Sequence, residues 1–335
     1  RQLVGPALPE ESAGEIDRWV SEAATAGLLS LNGETQGSLR EMNPDELAEL
    51  AERLRNSGKI HTAYICQLRA AERASTDSGK WSFVGELAHI LGRRNDARVA
   101  YEKYLELEPD DLEVRHIMIS LRAEPPPARV PDECIQFVYR GFAPYFDRNL
   151  CEELDYKGPE HLQGMVDSVL CGRDQIAVLD LGCGSGLAGV RFKPKAATLI
   201  GVDLSPEMIE LARARAIYDQ LEVAEITAWL GCAQQQFDLV IGCDCFIYFG
   251  DLGQVVAPAA KVLRPGGVFA FTVEKGKRHP FALTDSGRYE HHPDHVREAA
   301  LAAGLRVERL EESYLRMEYG EEVTGLFVVL RQPDA

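Results

Sequence analysis

The chain has 335 residues, enough for about two domains at roughly 150 residues each. Its formal net charge of −17 disfavours a nucleic-acid partner, because proteins that bind phosphate backbones need a basic surface. The sequence contains no run of about 18 apolar residues, so no membrane span is predicted. The first residues also lack the basic-then-apolar order of a secretion signal. The eight cysteines form no paired C-x-x-C motifs, so a reducing cytoplasm and no metal site are predicted.

The first 123 residues have helical patterning and an internal repeat. Residues 44–77 align with residues 78–111 at an offset of 34, which pairs Ala51 with Gly85 and Ala63 with Ala97. Small residues at these positions let paired helices approach closely. The second copy resembles a tetratricopeptide repeat through Trp81, Gly85, Gly92, Ala97, Tyr101 and Pro109.

A domain boundary is predicted at the proline-rich segment 124–131, because proline lacks the amide hydrogen that a helix needs. It separates a helical domain, 1–123, from a second domain, 132–335. Amphipathic segments near Ile16–Leu29 and Leu112–Leu121 are predicted to cap the two repeats. Two interpretations stay open: a helical bundle that supports the second domain, and a groove that binds a peptide or protein partner.

The second domain opens on an apolar run and a glycine-rich turn, "VLDLGCGSG". The third glycine, Gly186, comes one position too early for the dinucleotide fingerprint G-x-G-x-x-G. Asp180 also sits poorly beside a pyrophosphate. S-adenosylmethionine carries a sulfonium and an ammonium, which an adjacent acid attracts, so this cofactor is predicted in place of NAD.

The next two predicted strands each carry an acid near the end. Asp203 follows Asp180 by 23 residues and is placed to accept hydrogen bonds from two ribose hydroxyls. Ser205 and Pro206 are predicted to start a helix as N-cap and first residue. Glu225, near the end of a third strand, is predicted either to meet the adenine amino group or to be an exposed charge.

Further strands complete an open sheet. Phe237–Ile241 is the predicted fourth strand, and its carboxyl end falls where open sheets bind ligands. A Pro-Gly-Gly turn, Pro265–Gly267, precedes a fifth strand. Two long strands joined near Tyr319-Gly320 form a closing hairpin.

The combination of D-x-G-x-G-x-G, Asp203, "FDLV" and "LRPGG" resembles the class I S-adenosylmethionine-dependent methyltransferases, over about residues 131–331. Together with the repeats, the chain resembles bacterial methyltransferases that carry tetratricopeptide repeats. The resemblance implies a Rossmann-like α/β fold with a seven-stranded sheet in the order 3-2-1-4-5-7-6. The chain departs from the family at Glu225, where aspartate is common, and at His295, where tyrosine is usual.

The predicted cofactor site gathers residues from the glycine turn, the ends of the strands and a helix before the fold. Phe142 and Phe146 are expected to lie over the cofactor as a lid. The full predicted set is Asp180, Gly182, Cys183, Gly184, Gly186, Asp203, Leu204, Glu225, Phe142, Phe146 and Cys243.

Residues that act on the acceptor are expected in loops at the carboxyl ends of the strands. His291 is the candidate base, because histidine titrates near neutral pH, and Tyr248 and Tyr289 are further catalytic candidates. The candidates for binding the acceptor are Arg288, Arg316, Tyr248 and His292, the arginines because their fork fits an anionic group.

Structural roles compete with these predictions. Tyr248 is equally consistent with packing on the cofactor, Arg316 with a cross-strand pair to Glu318, and His292 with capping the helix that follows.

Three functions are compatible with these residues. The favoured one is methyl transfer to oxygen or nitrogen of a small-molecule or peptide-like acceptor. The others are a protein methyltransferase whose repeats recruit its substrate, and a cofactor-binding scaffold without catalysis. Intact Asp180, glycine turn and Asp203 argue against the scaffold.

Overall fold

The computed structural model describes residues 42–318 and 321–334, except for the side chains of residues 141, 142, 144 and 153. The chain divides into two compact units between Glu124 and Pro125. The predicted segment Ile16–Leu29 and the predicted turn Tyr319-Gly320 lie outside the described residues. None of the helices within those residues is long and apolar enough to cross a membrane.

Successive helices pack on one another in the described part of the first unit. They are α1 (Pro44–Asn56), α2 (Ile60–Arg73), α3 (Ser78–Ile90), α4 (Arg94–Leu107) and α5 (Leu112–Leu121). Asn43 begins α1 with a capping box, in which its side chain accepts from the Glu46 amide at 3.0 Å and Glu46 accepts from the Asn43 amide at 2.8 Å.

Small residues set the distance between helices in this unit. Ala51, Ala63 and Ala97 are fully buried in its core. A Cβ on Gly85 would lie 2.4 Å from a ring carbon of Tyr101, so only glycine fits at that contact between α3 and α4. The predicted helix at Leu112–Leu121 is confirmed as α5. The assignment of these helices to tetratricopeptide repeats stays a prediction.

One mixed sheet forms the centre of the second unit. Its strands are β1 (Ile176–Leu181), β2 (Ala196–Asp203), β3 (Gln220–Val223), β4 (Phe237–Gly242), β5 (Leu263–Lys275), β6 (Phe281–Leu283), β7 (Tyr289–His291), β8 (Arg306–Glu318) and β9 (Glu321–Arg331). β1 to β5 pair in parallel in the order 3-2-1-4-5. β9 adds antiparallel to β5, and β8 pairs with β9, so the long path is 3-2-1-4-5-9-8.

The prediction of seven strands was wrong in number, because the segment after β5 forms a short hairpin of β6 and β7. Glu274 of β5 pairs with Gly325 of β9 on one side and with Glu290 of β7 on the other. The pairing of β4 with β5 ends at Phe271. The hairpin therefore lies beside β5 beyond the end of β4, at the carboxyl edge of the sheet.

Helices cover both faces of this sheet. They are α6 (Asp132–Phe142), α7 (Gly158–Leu170), α8 (Leu187–Phe192), α9 (Pro206–Ala214), α10 (Ile226–Cys232), α11 (Gly253–Lys261) and α12 (Pro293–Ala302). α7 and α8 pack on one face, and α10, α11 and α12 pack on the other. Ser205 caps α9 by accepting from the Met208 amide at 3.2 Å, which confirms the predicted helix start.

The third strand ends earlier than predicted. β3 stops at Val223, and Glu225 is the N-cap of α10, so the prediction that Glu225 belongs to a strand was wrong. The Glu225 side chain accepts hydrogen bonds from the amides of Thr227 and Ala228, which gives the helix its start.

Candidate active site

The carboxyl ends of β1, β2, β4 and β5 meet at one edge, because these strands are parallel. The glycine turn follows β1 at this edge, Asp203 ends β2, Asp244 follows β4, and Glu274 lies near the end of β5. The sheet therefore brings together side chains that are far apart in the sequence.

Three glycines of the turn have left-handed backbone conformations. Gly182, Gly184 and Gly186 have φ values of +63°, +54° and +92°. A Cβ on Gly182 would also lie 2.4 Å from the Cβ of Cys245. A side chain at Gly182 would thus be both strained and in collision, and the bare backbone of the turn is available for close approach by a ligand.

Asp203 is attached to the glycine turn and keeps room for more partners. Its Oδ2 accepts from the Gly184 amide at 2.8 Å, and its Oδ1 accepts from the Ser205 amide at 2.9 Å. A carboxylate has about four lone-pair sites, so Asp203 retains acceptor capacity for a ligand hydroxyl. Burial raises the pKa of Asp203, and its backbone hydrogen bonds oppose that rise.

Asp180 is buried directly before the turn. Its Oδ2 accepts from the Tyr218 hydroxyl at 2.7 Å, whereas its Oδ1 has no hydrogen-bond partner among the described residues. Burial raises the pKa of Asp180 to about 7. A buried carboxylate oxygen without a partner is costly unless a ligand supplies a donor or a positive charge. These residues therefore fit a cationic cofactor.

Tyr218 fills the space that the glycines leave open. A Cβ on Gly189 would lie 2.2 Å from the Tyr218 oxygen, and a Cβ on Gly201 would lie 2.9 Å from its ring. The tyrosine thus reaches Asp180 only because these positions have no side chain.

Other predicted cofactor residues lie around the turn. Phe146 is close to Gly184, whose Cβ would lie 3.7 Å from the Phe146 ring. The Cys183 amide donates to the Val202 carbonyl at 3.1 Å, and the carbonyl of Leu204 accepts from Gln136 at 3.4 Å. Burial raises the pKa of the Cys243 thiol. The side chain of Phe142 lies outside the described part of the chain.

Glu225 has no acceptor capacity left for adenine. Its Oε1 accepts from Arg129 at 2.6 Å and from the Thr227 amide at 3.0 Å. Its Oε2 accepts from the Thr227 hydroxyl at 2.6 Å and the Ala228 amide at 2.7 Å. These contacts occupy all of the about four lone-pair sites of a carboxylate, which argues against the predicted adenine contact.

A charged cluster lies on the other half of the edge. Nη1 of Arg316 donates to both carboxylate oxygens of Asp244, at 2.8 and 2.7 Å. Its Nη2 donates to Glu274 and, at 3.4 Å, to Glu318. Arg288 donates from Nε to Glu274 at 2.9 Å and from Nη2 to Glu318. The carboxylates hold the pKa of both guanidinium groups above its usual value despite burial.

This cluster argues against the prediction that Arg288 and Arg316 bind an anionic acceptor. Three carboxylates already face the two guanidinium groups, so the cluster carries no surplus positive charge. Arg316 and Glu318 do form an ion pair within this cluster, but both lie on β8, so the predicted cross-strand arrangement was wrong.

Tyr248 pairs with Tyr139 of α6 beside the cluster. Their hydroxyl oxygens lie 3.0 Å apart, and their rings meet edge to face. One hydroxyl hydrogen makes this bond, so the second O–H remains able to donate to an acceptor. Burial raises the pKa of Tyr248, which keeps it protonated.

His291 and Tyr289 have internal structural contacts. Both are fully buried on β7. Nε2 of His291 lies 2.7 Å from the Phe249 carbonyl, and the Tyr289 hydroxyl donates to the Pro127 carbonyl at 2.6 Å. Burial lowers the pKa of His291 to about 4. Their predicted catalytic roles are not supported, because β7 is a paired strand where the sequence indicated an open loop.

His292 caps α12, as one of the two interpretations predicted. Its Nδ1 accepts from the Asp294 amide at 3.2 Å. The predicted acceptor contact by His292 is therefore not needed to explain the residue. The departure at His295 also has a local explanation, because its Nε2 accepts from the Leu252 amide at 3.2 Å.

Sequence reasoning did not predict several of the residues that lie at the site. They are Tyr139, Asp147, Asp244, Glu274 and Tyr218. Asp244 lies between two cysteines directly after a predicted strand, which is a usual position for a site residue and could have been used as a signal. No group of three or more candidate ligands that could hold a metal occurs in residues 42–318 and 321–334.

The chain matches a family model described as a methyltransferase domain over residues 178–267. Malonyl-(acyl-carrier protein) O-methyltransferase of Salmonella typhimurium is 32% identical over 113 residues, which cover 34% of this chain and 45% of that protein. Ubiquinone biosynthesis O-methyltransferase of Xylella fastidiosa is 28% identical over 144 residues, which cover 38% and 58%. The chain thus spans about half the length of these relatives.

Solved methyltransferase structures are also similar to the chain. The 1,6-didemethyltoxoflavin-N1-methyltransferase of Burkholderia thailandensis is 19% identical with a TM-score of 0.48, covering 63% of this chain and 93% of that one. Magnesium protoporphyrin IX methyltransferase of Synechocystis is 15% identical with a TM-score of 0.41, covering 52% and 79%. The family match coincides with the glycine turn and Asp203, and residues 178–267 are therefore a methyltransferase domain of the S-adenosylmethionine-dependent class.

Proposed function

We propose that the chain is an S-adenosylmethionine-dependent methyltransferase that acts on oxygen or nitrogen of a small-molecule or peptide-like acceptor. The observation that carries this proposal is the attachment of Asp203 to the glycine turn beside the unpaired Oδ1 of Asp180. The curated relatives of Salmonella typhimurium and Xylella fastidiosa are named as O-methyltransferases, which supports oxygen as the reacting atom.

The two halves of the carboxyl edge have different tasks in this proposal. We call the half with the glycine turn the cofactor half, and the half with the charged cluster the acceptor half. The cofactor supplies an electrophilic methyl group when it is bound. Asp203 holds the ribose hydroxyls, Asp180 compensates positive charge, and Phe146 excludes water from the turn. The hydroxyl pair of Tyr139 and Tyr248 orients the acceptor. Alignment in a dry site is the main source of rate, as expected for an in-line displacement.

The net charge of the acceptor half limits which chemical groups could receive the methyl group. Asp244, Glu274 and Glu318 carry three negative charges against the two positive charges of Arg288 and Arg316. We therefore propose a reacting group that is neutral on arrival, a hydroxyl or an amine. An anionic carboxylate would meet carboxylates that are already in place.

The helical unit is proposed to be a tetratricopeptide-like module of a cytoplasmic protein. The close contact of Gly85 with Tyr101 and the buried Ala51, Ala63 and Ala97 support the close helix packing typical of such repeats. Recruitment of a protein partner by this unit remains a proposal.

The test of the cofactor site is calorimetric titration of the Asp203→Ala variant with S-adenosylmethionine. Losing two hydrogen bonds to a charged acceptor, at about 1.5–3 kcal/mol each, should weaken binding on the order of 10²–10⁴-fold. The matched control is Asp174→Ala, an exposed carboxylate at the amino end of β1, which should bind as the wild type does. Tight NAD binding by the wild type without S-adenosylmethionine binding would overturn the proposal.

The acceptor itself is best found by labelling. The full chain, lysate and cofactor with a labelled methyl group are incubated together, and the methylated product is identified by mass spectrometry. A labelled small molecule supports the proposal, whereas label on a protein alone would favour a protein methyltransferase.

A further inference from the structure

An irregular helical segment passes along the carboxyl edge between α6 and α7. We call residues 143–154 the strap. It changes from a 3-10 turn (Ala143–Tyr145) through one α-helical turn (Phe146–Arg148) to a π-helical turn (Asn149–Glu153). Because this segment has no continuous ladder of α-helical hydrogen bonds, its local opening costs less than the opening of a regular helix.

Both ends of the strap are fixed to the domain. Before it, the Tyr139 hydroxyl lies 3.0 Å from that of Tyr248. At its end, the Leu154 carbonyl accepts from the Met317 amide at 2.6 Å, and the Lys157 amide donates to the Leu315 carbonyl at 3.0 Å. Motion of the strap is thus confined to its middle.

Asp147 holds that middle on the glycine turn. Its Oδ1 accepts from the Ser185 hydroxyl, and its Oδ2 accepts from Nη2 of Arg215. Nε of Arg215 donates to the Ser185 carbonyl at 2.5 Å, which closes a triangle of three residues. The neighbouring Phe146 lies over Gly184. One carboxylate therefore keeps the strap against the backbone that is proposed to meet the cofactor.

The strength of these contacts suits a reversible latch. The Asp147 side chain is 48% exposed and that of Arg215 is 27% exposed, so water can replace either partner when they separate. An ion pair this accessible contributes little to folding stability. Breaking it leaves no buried charge unpaired, although the buried Ser185 hydroxyl loses this partner, so opening costs less than it would for the cluster around Arg316.

We propose that Asp147 is a positioning residue that latches the strap over the glycine turn, so that the cofactor enters and leaves when Asp147 releases Ser185 and Arg215. This inference rests on the proposed function, because it assumes that the turn binds S-adenosylmethionine. Asp147 acts through Phe146 and the strap and is not assigned a contact with the reacting atoms.

The test measures association and dissociation of S-adenosylhomocysteine on the immobilised full chain by surface plasmon resonance. In Asp147→Ala, dissociation should accelerate by about 5- to 30-fold, as expected for the loss of two part-buried polar contacts. Association should also accelerate, because the strap is open for more of the time. Damage to the binding site would instead slow association.

Two further variants keep the result interpretable. Arg215→Gln removes the other side of the latch and should accelerate both rates similarly, and combining it with Asp147→Ala should add little. Glu152→Gln changes an exposed carboxylate on the same strap and should leave both rates unchanged. Thermal unfolding of each variant checks that the fold is retained.

Each outcome bears on the proposal. Faster association and dissociation in both latch variants, with Glu152→Gln unchanged, support it. Unchanged rates, faster dissociation with slower association, or fully additive effects overturn the latch while the proposed function stands. Absence of any binding by the wild type overturns the proposed function and the latch together.

Discussion

The two halves of the carboxyl edge differ in whether their charged groups already have partners. In the cofactor half, made of Asp180, the glycine turn and Asp203, carboxylate oxygens keep vacant positions for hydrogen bonds. In the acceptor half, made of Asp244, Glu274, Arg288, Arg316 and Glu318, charged groups already pair with one another. Vacant acceptors indicate binding, whereas saturated charges indicate a rigid framework around a smaller contact surface.

This contrast separates two kinds of mutational effect. Substitutions in the acceptor half should act first on the free energy of unfolding, because they leave buried charges without partners. Substitutions in the cofactor half should act first on ligand affinity. Single substitutions, made in one half at a time, can therefore test this distinction.

The largest effect is expected for Arg316→Met. It leaves Asp244 and Glu274 facing each other without their shared cation, so the free energy of unfolding should fall by about 3–5 kcal/mol. Urea denaturation followed by circular dichroism measures the change. The control Arg309→Met removes an exposed partner of Glu311 and should cost below about 1 kcal/mol. Equal losses in the two variants would mean that the cluster around Arg316 does not stabilise the fold.

A smaller effect is expected for the pH dependence of cofactor affinity. Because the Asp180 pKa is raised to about 7, this carboxyl is protonated below that pH and offers no negative charge. The affinity for S-adenosylmethionine should rise as the pH increases from 5.5 to 7.5, by up to about tenfold per pH unit, and then level off.

Calorimetric titration across this range provides the measurement, with Asp180→Asn as the comparison. The variant should bind weakly and without the step. A step of the same size in both proteins would assign the titration to another group and remove Asp180 from the cofactor half.

Glu225→Gln should have a modest effect on folding and little on affinity. The side chain caps α10 and pairs with Arg129, so its loss should cost about 0.5–2 kcal/mol of stability. Cofactor affinity should change by less than about threefold, because all lone-pair sites of the carboxylate are occupied within the protein. Thermal unfolding measures the change in stability, and calorimetric titration measures the change in cofactor affinity. A large loss of affinity with intact stability would support the adenine contact of Glu225 after all.

The smallest effect is expected for His291, which should show no titration near neutral pH. Burial lowers its pKa to about 4, and its ring is hydrogen-bonded to the Phe249 carbonyl. Histidine-selective carbon-13 NMR between pH 5.5 and 8 should find its resonance unshifted, with His291→Gln identifying the signal. A midpoint near 6.5 would return His291 to the candidates for a base.

Sequence reasoning predicted the glycine turn, Asp203, the start of α9 and the alternation of strands and helices, because these features are local patterns. It missed the short hairpin of β6 and β7, because three-residue strands have too few residues to show a period. The hairpin pairs with the end of β5, and this long-range contact turned His291 and Tyr289 from candidate loop residues into buried ones.

Partners of charged residues were equally hidden from the sequence. Arg316 and Asp244 are separated by 72 positions, and nothing local indicates that they meet. The same holds for Asp147 and Arg215, which are 68 positions apart. A basic residue in a predicted site loop therefore says little about ligand charge until its acidic neighbours are known.

The packing of Tyr218 under the glycine turn has a consequence for how this sequence can change. Gly189→Ala would place a methyl group 2.2 Å from the Tyr218 oxygen, whereas trimming Tyr218 first would take the hydroxyl away from Asp180. Each substitution alone should therefore disturb the contact between Tyr218 and Asp180, and only a joint change gives the new methyl group the volume that the ring vacates. Single-site libraries should record both positions as intolerant, and paired libraries should show that a smaller residue in place of Tyr218 relieves the collision that Gly189→Ala creates, without restoring the hydrogen bond to Asp180.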